Sequence, residues 1–408
     1  MARKTTTAER SWILYDVGNS AFVLLSTALI PVYFSSIATG SVMVAWGYAE
    51  TVAALIVALL MPFLGSLADM PGMKKKFLAG CAGTGACAAC ALGLPTDATA
   101  FLIVYVIAAV LLNASTVFYD AFLVDVTTPD RFDEVSSAGY AWGYVGSCVP
   151  FIACLGIALG HDAIGLSMQT AMQTVFAITA AWWFAFTIPV LRNARQVHSK
   201  PRPARIVRDS LAGLAVTCKR LWQSPPLRSF MLAYFFYIDG VHTIIKLSTS
   251  YGTDLGIDGT QLVLALLATQ FVAFPAAIAY GKLGRRFGTK QMLLVGVVGY
   301  TCIVAFAAFF LRSAAEFWML AIMVGLFQGG IQALSRSEFG KLVPSDHANE
   351  YFGFFDIFGK YAAVMGTFLV SALTQATGNG SIGVLSIAIL FVVGFFLLRT
   401  VPDRPTEG

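Results

Sequence analysis

The chain has 408 residues, of which 57% are hydrophobic and only 12% charged, and its formal net charge is +5. Soluble domains carry about 25% charged residues, so this composition excludes a soluble globular protein. Uncharged stretches able to cross the ~30 Å hydrocarbon layer recur along the whole sequence and leave no room for a separate soluble domain. The composition predicts an all-α, multi-pass membrane protein.

The first apolar run begins at Trp12. It is too long for the apolar region of a cleaved signal peptide, and it ends without an Ala-x-Ala site, so we interpret it as the first membrane span. Eleven further runs follow. The twelve predicted spans cover residues 12–37, 42–67, 76–94, 99–124, 136–159, 170–190, 229–250, 260–281, 290–311, 316–337, 351–375 and 380–399.

The basic residues predict the orientation of these spans. Of 27 Lys and Arg residues, 24 lie in the N-terminal tail, the even-to-odd loops, the adjoining helix ends or the C-terminal tail. Lys246 and Lys360 lie within spans, and Arg312 lies on the opposite side. Basic segments stay in the cytoplasm during insertion. Both termini are therefore predicted to be cytoplasmic, in the inner (cytoplasmic) membrane of the cell.

The long loop divides the chain into an N-terminal six-helix bundle (1–190), a basic cytoplasmic linker (191–228) and a C-terminal six-helix bundle (229–408). The linker holds nine basic residues. Its helical spacing predicts one apolar stripe, formed by Val207, Leu211, Leu214, Cys218 and Leu221. We expect an amphipathic helix on the membrane surface. A nucleic-acid-binding patch is the alternative, but topology and attraction to lipid phosphates explain the same charges, so we predict lipid contact and no nucleic acid.

One internal offset, of 216 residues, recurs. The segment 65–74 aligns without gaps on 281–290, and Gly65, Leu67, Gly72 and Lys74 each have an identical counterpart. At the same offset Glu134 corresponds to Glu350. Duplication of a six-helix half explains this pattern, and such repeats build a binding site near the middle of the membrane.

Gly65, Leu67, Asp69, Gly72 and the lysines at 74–76 resemble the signature loop between spans two and three of the major facilitator superfamily. The glycines allow a tight turn beneath a neighbouring helix. Asp69 can face a helix N-terminus or a basic side chain, and the lysines are expected to stay in the cytosol. The resemblance implies a gate latch, weakened in the second copy, where Arg285 replaces the acid. A loop that only sets the topology is the alternative.

Ionisable side chains inside spans cost ~2.5–3.5 kcal/mol each at the helix centre, so they are functional candidates. In span seven, Asp239, His242 and Lys246 share one helical face. The candidates for a substrate and coupling cavity are Asp16, Asn19, Glu50, Tyr119, Asp120, Asp239, His242, Lys246, Gln328, Gln332, Arg336, Asp356 and Lys360. Asp356 and Lys360 could instead neutralise each other as a structural pair. Asp125, Glu338 and Glu350 lie near the cytoplasmic boundary, where gate or topology roles are more common.

These charges suggest a wet cavity that binds a small polar, zwitterionic solute. Lys246 or Arg336 would hold a carboxylate. Asp16, Asp120 or Asp239 would hold an amine or carry a coupling proton. We therefore expect protons and membrane lipids as partners and a monomer as the functional unit.

Several stretches carry a closer resemblance. The segments 12–22, 117–125, 234–240, 329–337 and 351–360 are similar to spans one, four, seven, ten and eleven of the vacuole-effluxer-like family, which is related to fungal autophagy-associated vacuolar amino acid exporters. The resemblance covers essentially the whole chain and implies export of amino acids or small metabolites. Asp120 and His242 stand where the family usually has Asn and Gln, and these added titratable groups favour proton coupling.

Three alternatives remain open. A proton-coupled exporter of drugs or other amphiphiles would have apolar, aromatic cavity walls, and a channel would lack saturable counterflow. A membrane enzyme would need a nucleophile or metal cluster, but the four histidines are far apart, and Cys87 and Cys90 lie in a small-residue helix where we expect packing. No Gly-x-x-x-x-Gly-Lys-Ser/Thr sequence is present, so ATP is not the expected driver. We predict no enzymatic activity, metal or cofactor.

Overall fold

The computed structural model describes residues 4–38, 42–203, 205–254 and 256–402. Fifteen α-helices lie in these ranges. The first eight are α1 Thr7–Ala28, α2 Ile30–Ile37, α3 Val42–Ala68, α4 Met73–Ala91, α5 Ala98–Ala121, α6 Leu123–Val126, α7 Phe132–Leu159 and α8 Met168–Asn193. The remaining seven are α9 Ile206–Gln223, α10 Pro225–Asp254, α11 Gly259–Phe287, α12 Thr289–Phe310, α13 Ala314–Leu342, α14 Ala348–Thr377 and α15 Gly380–Thr400.

Nine helices in the described ranges are long and apolar enough to cross a membrane, and the count is ten if α1 and α2 form one span. Two further long helices, α4 and α14, fall outside this set. The first turn of α4 carries three consecutive lysines, which lower its apolar character. Adding both helices would give the twelve predicted spans, and that number remains a prediction.

The predicted first span is not one straight helix. It breaks at Leu29, and α1 and α2 meet at a bend of 44°. Pro31 lies in the first turn of α2. Because proline has no backbone N–H and its ring clashes with the preceding turn, it interrupts a continuous helix and is tolerated at the start of a new one.

Side chains at the helix ends explain several boundaries. Thr6 and Glu9 form a reciprocal capping box at the start of α1. Asp97, Ser167 and Asp258 accept backbone N–H groups at the starts of α5, α8 and α11. Such caps satisfy donors that the first turn of a helix leaves without an intrahelical acceptor.

The chain divides into two compact units. Unit 1 consists of Met1–Thr128, Trp142–Leu214 and Pro344–Phe354, and unit 2 consists of Pro129–Ala141, Ala215–Val343 and Phe355–Gly408. The first turns of α7 therefore belong to unit 2, and the first turns of α14 belong to unit 1. The boundaries predicted at 190 and 229 follow topology rather than packing, and they remain a prediction.

Each unit repeats the same helix pairings. In unit 1, α1 packs on α8, α3 on α5, and α4 on both α5 and α8. In unit 2, α10 packs on α15, α11 on α13, and α12 on both α13 and α15. The pairings correspond one to one along the chain, as the 216-residue repeat predicts.

Small residues on α4 allow its close packing. A Cβ added to Gly85 would lie 2.5 Å from the Trp183 ring, and Ala86 and Ala89 are buried. Cys87 and Cys90 lie on the exposed face of α4, away from these neighbours. The helix turns its Gly and Ala side towards its neighbours because those residues allow the closest approach of two backbones.

Candidate functional site

In unit 1, the Asp69 carboxylate caps the N-terminus of α14. Its Oδ1 accepts the backbone N–H of Asn349 at 2.9 Å and the Asn349 side-chain amide at 2.7 Å. Its Oδ2 accepts the backbone N–H of Glu350 at 3.0 Å. All three residues are almost fully buried. A carboxylate at this position satisfies free donors and complements the positive end of the helix dipole. The sequence allowed either a helix N-terminus or a basic side chain as the partner of Asp69. In the structure its hydrogen bonds go to the helix N-terminus.

Two glycines make this contact possible. A Cβ at Gly65 would collide with the Asn349 carbonyl group, lying 2.8 Å from its carbon atom. Gly72 has φ of +71°, a left-handed conformation that side chains rarely adopt. The predicted reasons for both glycines, close approach and a tight turn, are confirmed by this geometry.

Lys74 is fully buried, which contradicts the expectation that it extends into the cytosol. Its Nζ donates to Asp125 Oδ2 at 2.6 Å and to the Ala121 carbonyl at 3.2 Å. Phe122 lies 5.2 Å away and covers the ammonium group. The lysine binds the end of α5 and α6 because a buried ammonium group requires an anionic and hydrogen-bonded partner.

The segment 195–200, which follows α8, lies against the same loop, and we call it the strap. Gln196 Nε2 contacts the carbonyls of residues 68, 69 and 70, and its Oε1 accepts the Lys74 N–H. The backbone of His198 donates to Asp125 Oδ1 at 2.8 Å. Lys200 Nζ donates to Ser66 Oγ at 2.5 Å and to Glu350 Oε2 at 3.1 Å. The strap thus binds both the signature loop and the first turn of α14.

Replacing Lys200 by methionine is expected to loosen this assembly. The Glu350 side chain is 1% exposed, and removal of Lys200 would take away one cation that compensates its charge. We expect a destabilisation of about 2 kcal/mol, since breaking a largely buried pair leaves a desolvated charge behind. The melting temperature of the purified protein measures the effect. Lys76→Met, at an exposed lysine, is the matched control, and equal melting of the two variants would contradict a structural role of the strap.

Asp69 and His347, near the start of α14, both have a pKa above the ordinary value. Burial raises the pKa of Asp69 to about 6, while Lys74 and the donors of Asn349 and Glu350 act in the opposite direction. The Glu350 carboxylate, 3.5 Å from His347 Nδ1, raises the pKa of His347, against the effect of burial. We call the arrangement in which Asp69 caps α14 the latched state. Asp69 and His347 bind protons more tightly in this state than in one where both side chains are solvated.

Acidification is consequently expected to favour the latched state. The shift should develop as the pH falls first through the raised pKa of His347 and then through about 6, the pKa of buried Asp69, because each buried group binds a proton at a pH where its solvated form still releases it. Hydrogen–deuterium exchange at the Asn349 and Glu350 amides, corrected for intrinsic rates, should slow over this range. Amides capped by the exposed Asp97 serve as the reference. Faster exchange of the α14 amides at low pH would contradict the linkage.

Asp69, His347 and Glu350 place possible metal-ligand atoms within 4.8 Å of one another. Their chemistry fits the latch better than a metal ion. Asp69 already accepts three N–H groups, and Lys200 brings its ammonium group to Glu350. A cation at this point would have to displace those donors.

The second copy of the loop, in unit 2, has its charges reversed. A Cβ at Gly281 would lie 2.7 Å from Ser137 Cβ, which corresponds to the close approach at Gly65. Arg285, at the position equivalent to Asp69, lies 3.4 Å from Glu134. The buried acid is Asp133, at the start of α7, and it accepts from Ser337, Lys341 and Thr289 at 2.5, 2.7 and 2.9 Å. In the second copy the buried acid therefore lies at the start of the helix rather than in the loop, and its weaker gate role remains a prediction.

The residues predicted to line the cavity are divided between the two units. In unit 1, Tyr119 donates its hydroxyl to Asp16 Oδ2 at 2.7 Å, and both are buried. Asn19 is buried one turn further along α1, and Asp120 is half-buried. Glu50 is exposed on α3 and accepts the hydroxyl of Tyr105.

In unit 2, Asp239 is completely buried in α10. Its Oδ1 accepts the Gly366 N–H at 2.9 Å and the Thr243 hydroxyl at 3.2 Å. Its Oδ2 is buried and has no hydrogen-bond partner among the described residues. His242 Nδ1 lies 3.2 Å from the Gly359 carbonyl oxygen, and Lys246 is exposed on the same helix.

The polar stripe of α13 is engaged within the protein. Arg336 is 2% exposed, and its guanidinium donates to the Oγ and the carbonyl of Ser136, both at 2.9 Å. It also lies 4.3 Å from the centre of the Tyr140 ring. Gln328 is buried and Gln332 is half-buried. A carboxylate could reach Arg336 only if these contacts were exchanged.

A small cavity of about 50 Å³ lies between α10, α11 and α13 and includes Gln328 in its mostly apolar lining. Asp356 is half-buried, and the Lys360 side chain lies outside the described residues. The pairing of Asp356 with Lys360 therefore stays a prediction.

Sequence reasoning missed several partners, namely Tyr105, Asp133, Ser136, Tyr140, Gln196, His198, Lys200, Lys341 and Asn349. Three of them, Asp133, Lys341 and Asn349, carried a signal. The 216-residue offset pairs Asp133 with Asn349 and Asp125 with Lys341, so it already placed both sets at equivalent positions. The strap residues follow no periodic pattern.

Comparison with known proteins agrees with this architecture. A family model described as "Vacuole effluxer Atg22 like" matches residues 31–131 and 124–405. The MFS-type transporter YxiO of Bacillus subtilis (strain 168) is 45% identical over 415 residues, covering 99% of this chain and 97% of that protein. Autophagy-related protein 22 of Cryptococcus neoformans var. neoformans serotype D (strain B-3501A) is 29% identical over 64% of this chain, which spans 51% of that protein.

The fold is likewise shared. The crystal structure of the human organic anion transporter MFSD10 (TETRAN) superimposes with a TM-score of 0.75 at 15% identity, covering 97% of this chain and 98% of that chain. These findings confirm the predicted major facilitator fold and the family resemblance. The chain therefore belongs to the vacuole effluxer Atg22-like family, and it is a multi-pass secondary transporter of the major facilitator superfamily rather than an enzyme.

Proposed function

We propose that the protein moves a small polar, zwitterionic solute, an amino acid or a related metabolite, across the cytoplasmic membrane by alternating access with proton coupling. The observation that carries this proposal is Asp239. It is a completely buried carboxylate in a membrane-spanning helix, and one of its oxygens has no partner among the described residues. Ionisable groups in such positions are retained for transport or proton relay.

The residues around Asp239 support a site that changes its charge. His242 and Lys246 share its helix face, so a proton on Asp239 alters the field at two further titratable groups. Lys246 is exposed and makes no ion pair with a described residue, which leaves its ammonium group able to bind a solute carboxylate. Within unit 1, and separately from this group, Asp16 is oriented by Tyr119 and could bind an amine.

In this mechanism the latches hold the helices that begin on the cytoplasmic side. Asp69 fixes the start of α14, and the cluster at Asp133 fixes the start of α7. Both contacts consist of hydrogen bonds to charged groups, which are worth about 1.5–3 kcal/mol each and can be exchanged during a transport cycle. The structural role that we assign to them is control of access from the cytoplasm.

A thermal-shift screen of the purified protein tests the substrate class. Amino acids, small peptides, organic cations and unrelated hydrophobic compounds are compared at two pH values. We expect stabilisation by zwitterionic solutes that depends on pH, since binding to the folded state raises its stability. Competition among unrelated hydrophobic compounds, with no response to amino acids, would instead favour the exporter of amphiphiles. Saturable counterflow in proteoliposomes would separate either transporter from a channel.

A further inference from the structure

Helix α9 carries exposed apolar residues that its role as a linker does not require. Leu211 is 53% exposed and Trp222 is 43% exposed. In a membrane span such exposure reflects contact with lipid tails, but α9 is not among the described helices apolar enough to cross a membrane. Its first and last turns carry charged residues. The exposed apolar surface of α9 therefore needs a different partner.

The exposed residues form a stripe along the helix. Leu211, Ala215, Cys218 and Trp222 follow at intervals of four, three and four residues, which places them on one face. A neighbouring face, with Ser210, Thr217 and Leu221, is buried in the protein. The apolar stripe predicted from the sequence is thus divided between two faces, because Leu221 is buried whereas Leu211 and Cys218 are exposed. The Val207 side chain lies outside the described residues.

The C-terminal end of α9 is joined directly to the membrane. Only Ser224 separates Gln223, the last residue of α9, from Pro225, where the spanning helix α10 begins. The Arg228 guanidinium, on α10, donates to the Trp222 carbonyl, on α9, at 3.4 Å and so links the two helices. The exposed stripe therefore starts at the boundary of the membrane, where tryptophan is a preferred residue.

The charge of the linker complements a lipid surface. Residues 202–228 of the linker include six exposed basic residues and one exposed acid, Asp209. The basic residues are Arg202, Arg205, Arg208, Lys219, Arg220 and Arg228. Arg208 and Lys219 lie along one edge of the stripe, one turn from Leu211 and Ala215 respectively. An apolar stripe bordered by basic residues is the pattern of a helix lying in the plane of an anionic membrane surface.

We propose that α9 is an anionic-lipid-binding helix on the cytoplasmic membrane surface. Leu211, Cys218 and Trp222 insert at the boundary between headgroups and acyl chains, and Arg208 and Lys219 bind lipid phosphates. Each basic residue near such a surface strengthens the association about five-fold. Because the strap lies between α8 and α9, lipid binding also fixes one end of the segment that carries Lys200.

The native Cys218 provides the test. A variant that retains only this cysteine is spin-labelled and placed in nanodiscs of phosphatidylglycerol or of phosphatidylcholine. Power saturation with oxygen and a water-soluble nickel complex then measures the depth of the label. Val216→Cys, at a position 48% exposed and about 200° around the helix from Cys218, is the matched control. We expect membrane immersion at 218 and water exposure at 216, with deeper immersion in phosphatidylglycerol.

The double variant Arg208→Gln, Lys219→Gln separates phosphate binding from apolar insertion. In this variant the label at residue 218 should lie at the same depth in both lipids. The melting temperature should show that the fold is retained. Three results would overturn the proposal: equal nickel accessibility at 218 and 216 in both lipids, a lipid dependence that survives the double variant, or spin–spin coupling between labels at 218, which would show that a second copy of the chain covers the stripe.

Discussion

Asp239→Asn is expected to abolish pH-driven solute accumulation in proteoliposomes. The amide can still accept the Gly366 N–H and the Thr243 hydroxyl, so the local structure is retained. It cannot gain or lose a proton. One proton moving down a gradient of one pH unit drives about a tenfold accumulation of solute, since one unit corresponds to about 1.4 kcal/mol. We expect that tenfold accumulation to fall to equilibration.

Counterflow distinguishes coupling from binding. Exchange of solute between two equal pools needs no net proton movement, so the asparagine variant should retain it while losing accumulation. Asp258→Asn, at an exposed carboxylate that caps α11, is the matched control within the same unit. Undiminished accumulation by Asp239→Asn would remove this residue from the coupling mechanism.

Asp69→Ala is expected to release the first turn of α14. The substitution leaves the backbone N–H groups of Asn349 and Glu350 without their acceptor in a buried place. Losing hydrogen bonds to a charged group in this setting costs about 3 kcal/mol, a roughly hundredfold change in the latched population. Hydrogen–deuterium exchange at those two amides should accelerate accordingly, and the cytoplasmic gate should lose its preference for the latched state.

The matched control is Asp97→Ala. Asp97 also caps a helix through two backbone N–H groups, but it is exposed, so water can replace its carboxylate. Its loss should raise exchange only at Thr99 and Ala100. If Asp69→Ala left exchange at Asn349 unchanged, the carboxylate would not hold the latch.

The sequence anticipated much of the candidate site because its signals are local. A charge in an apolar run, such as Asp239, is visible without knowledge of any partner, and helical spacing places His242 on the same face. The glycines at 65 and 72 were recognised from a short motif. Gly281, which the 216-residue offset aligns with Gly65, makes an equivalent close approach in the structure.

Partners distant in the chain were not accessible in this way. Asn349 lies 280 residues from Asp69 and Asp125 lies 51 residues from Lys74, and nothing in the local pattern of either residue selects the other. Lys74 was expected in solvent because three consecutive lysines normally indicate a cytosolic face. Its burial depends on Asp125 offering a compensating charge, which is a property of the packed unit.

The sequence alone determined that this protein spans the membrane with a duplicated set of helices and carries ionisable groups within them. Those properties depend on the transfer free energy of each segment and on motifs a few residues long. The tertiary structure decided which oxygen of Asp239 stays without a partner, that the buried acid at the second copy of the loop is Asp133, and that the strap binds the first copy. Such features depend on backbone groups brought together from distant segments, so they cannot be predicted from local hydropathy.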